Sequence, residues 1–228
     1  MDKISYMNNA KKALFEIPNL MKGTFISRPN RFIGEIKYKR RIENAHIHDP
    51  GRLKELLIEG AEVLFTHSKG KLKYYIKAVK TNDEWVLIDT ALHSKIAMKI
   101  FEYLPEFSKV KEIRKEVKIG NSRIDFVLDG VPLEVKGVSL VKDGLSLFPD
   151  APTERGARHV KEIIEHNGII LLLIVRRAES FAPNWEMDPK FSKRLSEARK
   201  RGIKIIPVQV SFDGNTIFYH KKIPLSDF

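Results

Sequence analysis

The 228-residue chain contains no cysteine. Disulfides, zinc–thiolate centres, iron–sulfur clusters and a cysteine nucleophile are therefore excluded. Long apolar runs are missing as well. The longest, Ile169 to Val175, has seven residues, far short of the ~20 a membrane-spanning helix needs. Met1 to Tyr6 lacks the basic-then-apolar pattern of a secretory leader. No P-loop, HExxH, GxGxxG or GxSxG motif occurs. These absences predict a soluble, cytoplasmic protein with no membrane partner. Glutamine is nearly missing too, with Gln209 the only one, while 31% of residues are charged. That combination is the composition of a thermophile protein.

What the chain has in excess is positive charge. The formal net charge is +12 and the isoelectric point about 9.7. Residues 1–85 carry 17 Lys and Arg against 10 Asp and Glu, so +7, and the remainder carries +5. A basic soluble protein fits a polyanionic partner, nucleic acid first. Arg28, Arg31, Lys37, Lys39, Arg40, Arg41 and Arg52 are the candidate phosphate contacts. Such residues position a backbone and read no sequence by themselves. Phe25, Phe32, Tyr38, Tyr74 and Tyr75 interleave with them. Each of these aromatics is either a base-stacking platform or core.

The first ~85 residues read as short strands with turn residues between them, the pattern of a small barrel. Lys22–Ser27, Arg31–Arg40, Arg41–Ile47, Glu62–His67, Lys73–Val79 and Trp85–Ile88 are the strands. Pro29-Asn30 is turn chemistry. Arg52–Glu59, with Leu53, Leu56 and Leu57 on one side, reads as a short helix. The pattern then changes. Ala91–Leu104 is amphipathic and stops at Pro105. Strands follow at Lys111–Ile119, Arg123–Leu128 and Val131–Val138, then a helix over Thr153–His166. Ile169–Val175 is a strand covered on both faces. Asp188-Pro189 opens a second crossover helix, and Ile203–Val210 and Thr216–His220 close the chain. The expected class is mixed α/β, α+β overall. An OB-like barrel occupies residues 1–86 and a mixed-sheet domain residues 87–228.

Arg123 to Lys136 holds the most informative pattern. Asp129-Gly130 is a two-residue hairpin turn. It places Leu128 opposite Val131 and therefore Asp125 opposite Glu134. Facing carboxylates repel unless something sits between them, and a divalent cation does. Lys136 lies two residues beyond Glu134, on the same face. The bland reading is a solvated sheet face with a Glu–Lys neighbour pair.

Asp125 with Glu134-Val135-Lys136 resembles the active-site signature of the PD-(D/E)XK nuclease superfamily. The chain as a whole resembles the sugar fermentation stimulation protein A (SfsA) family. The blocks that carry this are Arg28-Pro29-Asn30-Arg31-Phe32, Asp49-Pro50-Gly51-Arg52-Leu53, Ser122-Arg123-Ile124-Asp125-Phe126, Phe148-Pro149-Asp150-Ala151-Pro152-Thr153-Glu154-Arg155-Gly156, and Phe181-Ala182-Pro183 through Asp188-Pro189. The resemblance implies an OB-like first domain, a nuclease-like second domain and DNA binding. It implies that Asp125 and Glu134 hold Mg²⁺, with Mn²⁺ as the alternative, and that Lys136 is the catalytic lysine. Glu116 matches an auxiliary acidic ligand, and Arg155 a group reaching the scissile phosphate. Asp49-Pro50-Gly51-Arg52 departs from the family's usual Asn-Thr-Gly turn, and Ser94-Lys95 from its Asn-Arg pair.

Alternatives remain beside this reading. Arg155, Arg158, His159 and Glu162 form a stripe at helical spacing, either phosphate-facing or solvated. Asp150 and Thr153 both suit a helix N-cap. His46 and His48 are a metal pair lacking a third ligand, or loop residues. The function classes are a metal-dependent nuclease, a DNA-binding regulator that keeps the nuclease fold as a scaffold, and an RNA-processing factor. Duplex DNA is the first partner, single-stranded DNA or RNA the others, and a homodimer fits a duplex-binding protein.

Overall fold

The computed structural model describes residues 11–82 and 84–228; Met1 to Tyr6 lies outside them. Strands β2 (Met21–Asn30), β3 (Ile33–Tyr38), β4 (Arg41–His46), β5 (Glu62–His67) and β6 (Tyr74–Thr81) form a closed five-stranded barrel. Closure comes from a short parallel pairing, Ala45↔Tyr74 and His46↔Tyr75. The expected period-2 pattern fills it: Phe25, Gly34, Ile36, Val63, Phe65 and Ile76 all point inward and are buried.

Strand β7 (Glu84–Leu87) leaves the barrel and meets the second unit through one rung, Trp85↔Phe212. That unit holds the parallel trio β10 (Val131–Val138), β13 (Ile169–Ile174) and β15 (Lys204–Phe212). The antiparallel β8 (Ile113–Ile119) and β9 (Ser122–Leu128) extend it on one side. The antiparallel β16 (Thr216–Lys222) extends it on the other. Helices α2 (Glu154–Glu165) and α3 (Pro189–Lys200) are the crossovers. Both pack on one face, over Ile170, Leu172 and Ile174. On the opposite face α1 (His93–Phe101) packs with Leu133, Leu171 and Leu173, in one core continuous with the barrel. A small sheet of β11 (Leu140–Lys142), β12 (Leu145–Phe148) and β14 (Ser180–Pro183) grows from the ends of β10 and β13.

Two local readings are corrected, and one strand is added. Arg52–Glu59 is a pair of turns, not a helix. Leu53 has φ +50 and its N–H donates to Asp150 Oδ2, while its carbonyl accepts from Leu56 and Leu57, a single turn that is not continued into a helix. Its leucines are core all the same: Leu53 and Leu56 are buried. Pro29-Asn30 ends β2 and the turn itself is Arg31-Phe32, with Asn30 Oδ1 accepting the Phe32 N–H at 2.9 Å. The first strand, β1 (Lys12–Glu16), pairs with β16, so the barrel half of the sequence donates a strand to the second unit.

Candidate active-site cleft

The Asp129-Gly130 turn has positive φ at both residues, 47° and 86°, the requirement of a type I′ hairpin. It sets the expected register, Val131↔Leu128 through Leu133↔Phe126. The rungs stop there because Asp125 Oδ2 takes the Val135 N–H at 2.7 Å. Beyond that point β10 is held by β13 alone. The turn thus brings Asp125 and Glu134 to the same level, and the side-chain bond frees the strand end to open into a cleft.

That cleft, about 740 Å³, runs between the barrel and the C-terminal end of β10, the usual place for a ligand on a parallel sheet. Asp125, Glu134, Lys136, Glu116 and Arg155 all line it, as does Arg31 from the barrel side. Glu134 is 2% exposed. Its Oε1 accepts from both Lys136 Nζ and His159 Nδ1. Its Oε2 is buried with no partner. Burial alone would raise this carboxyl, but Lys136 and His159 outweigh it and hold Glu134 below the ordinary range. Asp125 is pushed the other way, up to about 6, by burial first and by the Glu134 charge second. Opposite shifts on neighbouring carboxylates are found in functional sites and in structural ion-pair networks alike.

Glu116 lies between the Lys115↔Phe126 and Val117↔Ile124 rungs with φ +53. It is exposed on the cleft wall. Among the described residues, no three His, Asp or Glu side chains gather closely enough to form a metal cluster. Asp125 and Glu134 are brought together as a pair, with Glu116 apart from it. Among the described residues His46 and His48 join no metal set: His46 packs edge-on against Tyr75, and His48 Nδ1 meets Thr90 Oγ1 at 2.7 Å.

The stripe predicted on α2 divides. Arg155 and Arg158 are exposed, but His159 turns inward and is 2% exposed. Thr153 is the helix N-cap, its Oγ1 accepting the Gly156 N–H at 2.9 Å. Asp150 caps nothing there and reaches the Leu53 N–H instead.

The basic set on the barrel also divides. Arg28 is not a free phosphate donor. Its guanidinium donates to four carbonyls, those of Gly51, Arg52, Arg31 and Asp49, at 2.7–3.0 Å. It staples the Asp49–Arg52 loop. Arg31, Lys37, Lys39, Arg40, Arg41 and Arg52 are exposed. Of the aromatics, Phe25 and Tyr74 are core, Tyr38 packs on Phe65, and Tyr75 donates to the buried Asp89. Of these five, Phe32, 49% exposed, is the one whose side chain is exposed.

Sequence reading passed over one cleft residue entirely. His93, at the start of α1, sets its ring where a Gly137 side chain would be. Burial pushes its imidazole down to about 4, so it is neutral. Gly137 directly after the E-V-K motif was the signal for it: a strand glycine marks a close approach.

Two family models match. Residues 26–88 match the SfsA N-terminal OB domain, and residues 91–216 match the sugar fermentation stimulation protein RE domain. The sugar fermentation stimulation protein homolog of Saccharolobus solfataricus is 43% identical, over 90% of this chain and 85% of that protein. The homolog of Methanothermobacter thermautotrophicus is 40% identical, over 87% of this chain and 89% of its own length. Among solved structures, Pyrococcus furiosus SfsA in complex with Ca²⁺ superposes with a TM-score of 0.88 at 30% identity, covering 95% of this chain and 100% of that one.

Proposed function

The chain belongs to the sugar fermentation stimulation protein (SfsA) family, and on that premise we propose that it binds nucleic acid and hydrolyses phosphodiesters with a divalent cation, Mg²⁺ first and Mn²⁺ second. The observation that carries this reading is Glu134: a buried, ionised carboxylate whose Oε2 has no partner. An unsatisfied buried polar atom costs ~1–3 kcal/mol, so its retention beside Asp125 fits a site that a cation completes. The donor set is two carboxylates in a cleft that Lys136 and Arg155 also line, the hard-oxygen set that suits Mg²⁺ or Ca²⁺. The Pyrococcus furiosus relative was solved in complex with Ca²⁺, which supports the same chemistry. Asp125 and Glu134 would hold the ion, and Glu116 is close enough in the ladder to add to the field.

When bound, such a cation polarises a phosphoryl oxygen and lowers the pKa of its water. The chain supplies the rest. Lys136, held on the Glu134 carboxylate, is a point charge for developing negative charge. Arg155 on the cleft wall offers its guanidinium to a phosphate. Arg31, Lys37, Lys39, Arg40 and Arg52 would hold the backbone of duplex DNA across the barrel face. Binding of this kind weakens as salt rises, because counterions are released.

A second reading is a DNA-binding regulator that retains the site as scaffold. It is favoured by the Lys136–Glu134 ion pair, in which catalytic lysine and ligand neutralise one another.

One experiment separates the two. Labelled duplex DNA, single-stranded DNA and RNA are incubated with Mg²⁺, Mn²⁺ or EDTA, with binding recorded alongside. Cation-dependent cleavage lost in Glu134→Ala and Lys136→Ala is expected of a nuclease. Binding without cleavage on every substrate would sink hydrolysis and leave the regulator. Preference for RNA over both DNAs would reassign the substrate.

A further inference from the structure

The cleft carboxylate has a support that the two-carboxylate reading leaves unused. His159 sits on α2, behind Glu134, and is buried. Its Nδ1 contacts Glu134 Oε1. On the far side of the ring, Arg155 Nε–H donates to His159 Nε2 at 3.3 Å. A nitrogen that accepts cannot also carry the proton. The Arg155 bond therefore fixes the tautomer: Nδ1 bears the hydrogen and donates it to Glu134. Two donors, Lys136 Nζ and His159 Nδ1–H, converge on Oε1, while Oε2 has none. The carboxylate is thereby locked in rotation with one oxygen saturated and the other open.

We infer that His159 is a positioning residue that orients Glu134 for a divalent cation, with Arg155 holding the imidazole in the donating tautomer. The inference rests on the cation site proposed above. An imidazole donating to an acidic ligand is the mirror of the usual outer-shell pattern, in which a carboxylate orients a ligating histidine. In both, the second group fixes an angle that the metal would otherwise have to select from many rotamers. The arrangement also ties two tasks together. Arg155 lines the cleft, so a phosphate that draws its guanidinium bears on the same chain of bonds that aims Glu134.

The test is Ca²⁺ titration of the full chain by calorimetry, in wild type, Glu134→Gln, His159→Ala, His159→Asn and Arg155→Ala, each checked by melting without cation. Removing an outer-shell partner weakens metal affinity by about 10–100-fold, and that loss is expected for His159→Ala. Asparagine places its amide N–H near the position of Nδ1, so His159→Asn should recover most of the affinity. Arg155→Ala should lose less than His159→Ala. Where His159→Ala does not fold, His159→Asn is compared with His159→Gln, whose amide lies one bond too far; equal affinities there would overturn the inference. Affinity unchanged in His159→Ala but lost in Glu134→Gln would overturn it and leave the cation site standing. Ca²⁺ binding that ignores Glu134→Gln, or no Ca²⁺ binding by wild type, would instead remove the site on which it rests.

Discussion

Two acidic pairs line the same cleft, and they do opposite things. On the loop side, Asp49 Oδ1 accepts the Gly51 N–H at 2.7 Å and Asp150 Oδ2 accepts the Leu53 N–H at 3.3 Å. Arg28 threads three carbonyls of the same loop, those of Asp49, Gly51 and Arg52. Asp49 holds the loop's own turn, and Asp150 splices that loop to the second unit. On the strand side, Asp125 commits Oδ2 to a backbone N–H, but Glu134 takes only side-chain donors and keeps Oε2 open. Burial lifts Asp49 and Asp125 alike to about 6, so a raised carboxyl does not by itself mark chemistry. The difference is that Glu134 keeps an oxygen, Oε2, both buried and without a partner.

Breaking each side should give different losses. Glu134→Gln, nearly isosteric, should lower cation-dependent cleavage by on the order of 10³-fold or more while the protein stays folded, read by single-turnover kinetics beside circular dichroism. Arg28→Ala should do the reverse. It leaves four carbonyls without their donor and should cost about 2–4 kcal/mol in chemical denaturation. Cleavage by the fraction still folded should remain.

The distinction sharpens with pH. Below the ordinary aspartate value of 3.8, Asp125 is protonated folded or unfolded, and its burial costs nothing. As pH rises through about 6 the folded chain must ionise it in a poor environment, so stability is lost over that window. Asp125→Asn removes the loss and keeps an oxygen for the Val135 N–H. At pH 8 it should melt roughly 2–8 °C above wild type, from about 1–2 kcal/mol, and the gap should close near pH 4. Activity should fall in the same variant, the usual trade between stability and a strained site. The smallest effect belongs to the barrel surface. Lys37→Ala should weaken DNA binding only a few-fold and reduce the slope of log affinity against log salt by ~1.

The sequence made the strand side legible and the loop side illegible, for a physical reason. Hairpin register follows from a two-residue turn and the period of a strand, both local. Asp125, Glu134 and Lys136 could therefore be placed on one face from the sequence alone. The inward rotation of His159 depends on which side of α2 meets the sheet, and its partner lies 25 residues away. The stapling by Arg28 spans up to 24 residues and turned a supposed phosphate contact into a structural donor. Arg52–Glu59 misled because its leucines have helical spacing, whereas the backbone obeys Asp150, a residue 97 positions further along. β1 was missed for the same cause, since the strand it pairs with, β16, lies near the other end of the chain.

The most direct measurement is Mn²⁺ binding, by calorimetry, to wild type, Glu134→Gln and Asp49→Asn in parallel. If the buried, unpartnered Oε2 defines the site, Glu134→Gln loses affinity by about 100-fold or more and Asp49→Asn stays within about threefold of wild type. The opposite order, with Asp49→Asn abolishing binding and Glu134→Gln leaving it intact, would move the cation to the loop side and contradict the assignment of Asp125 and Glu134.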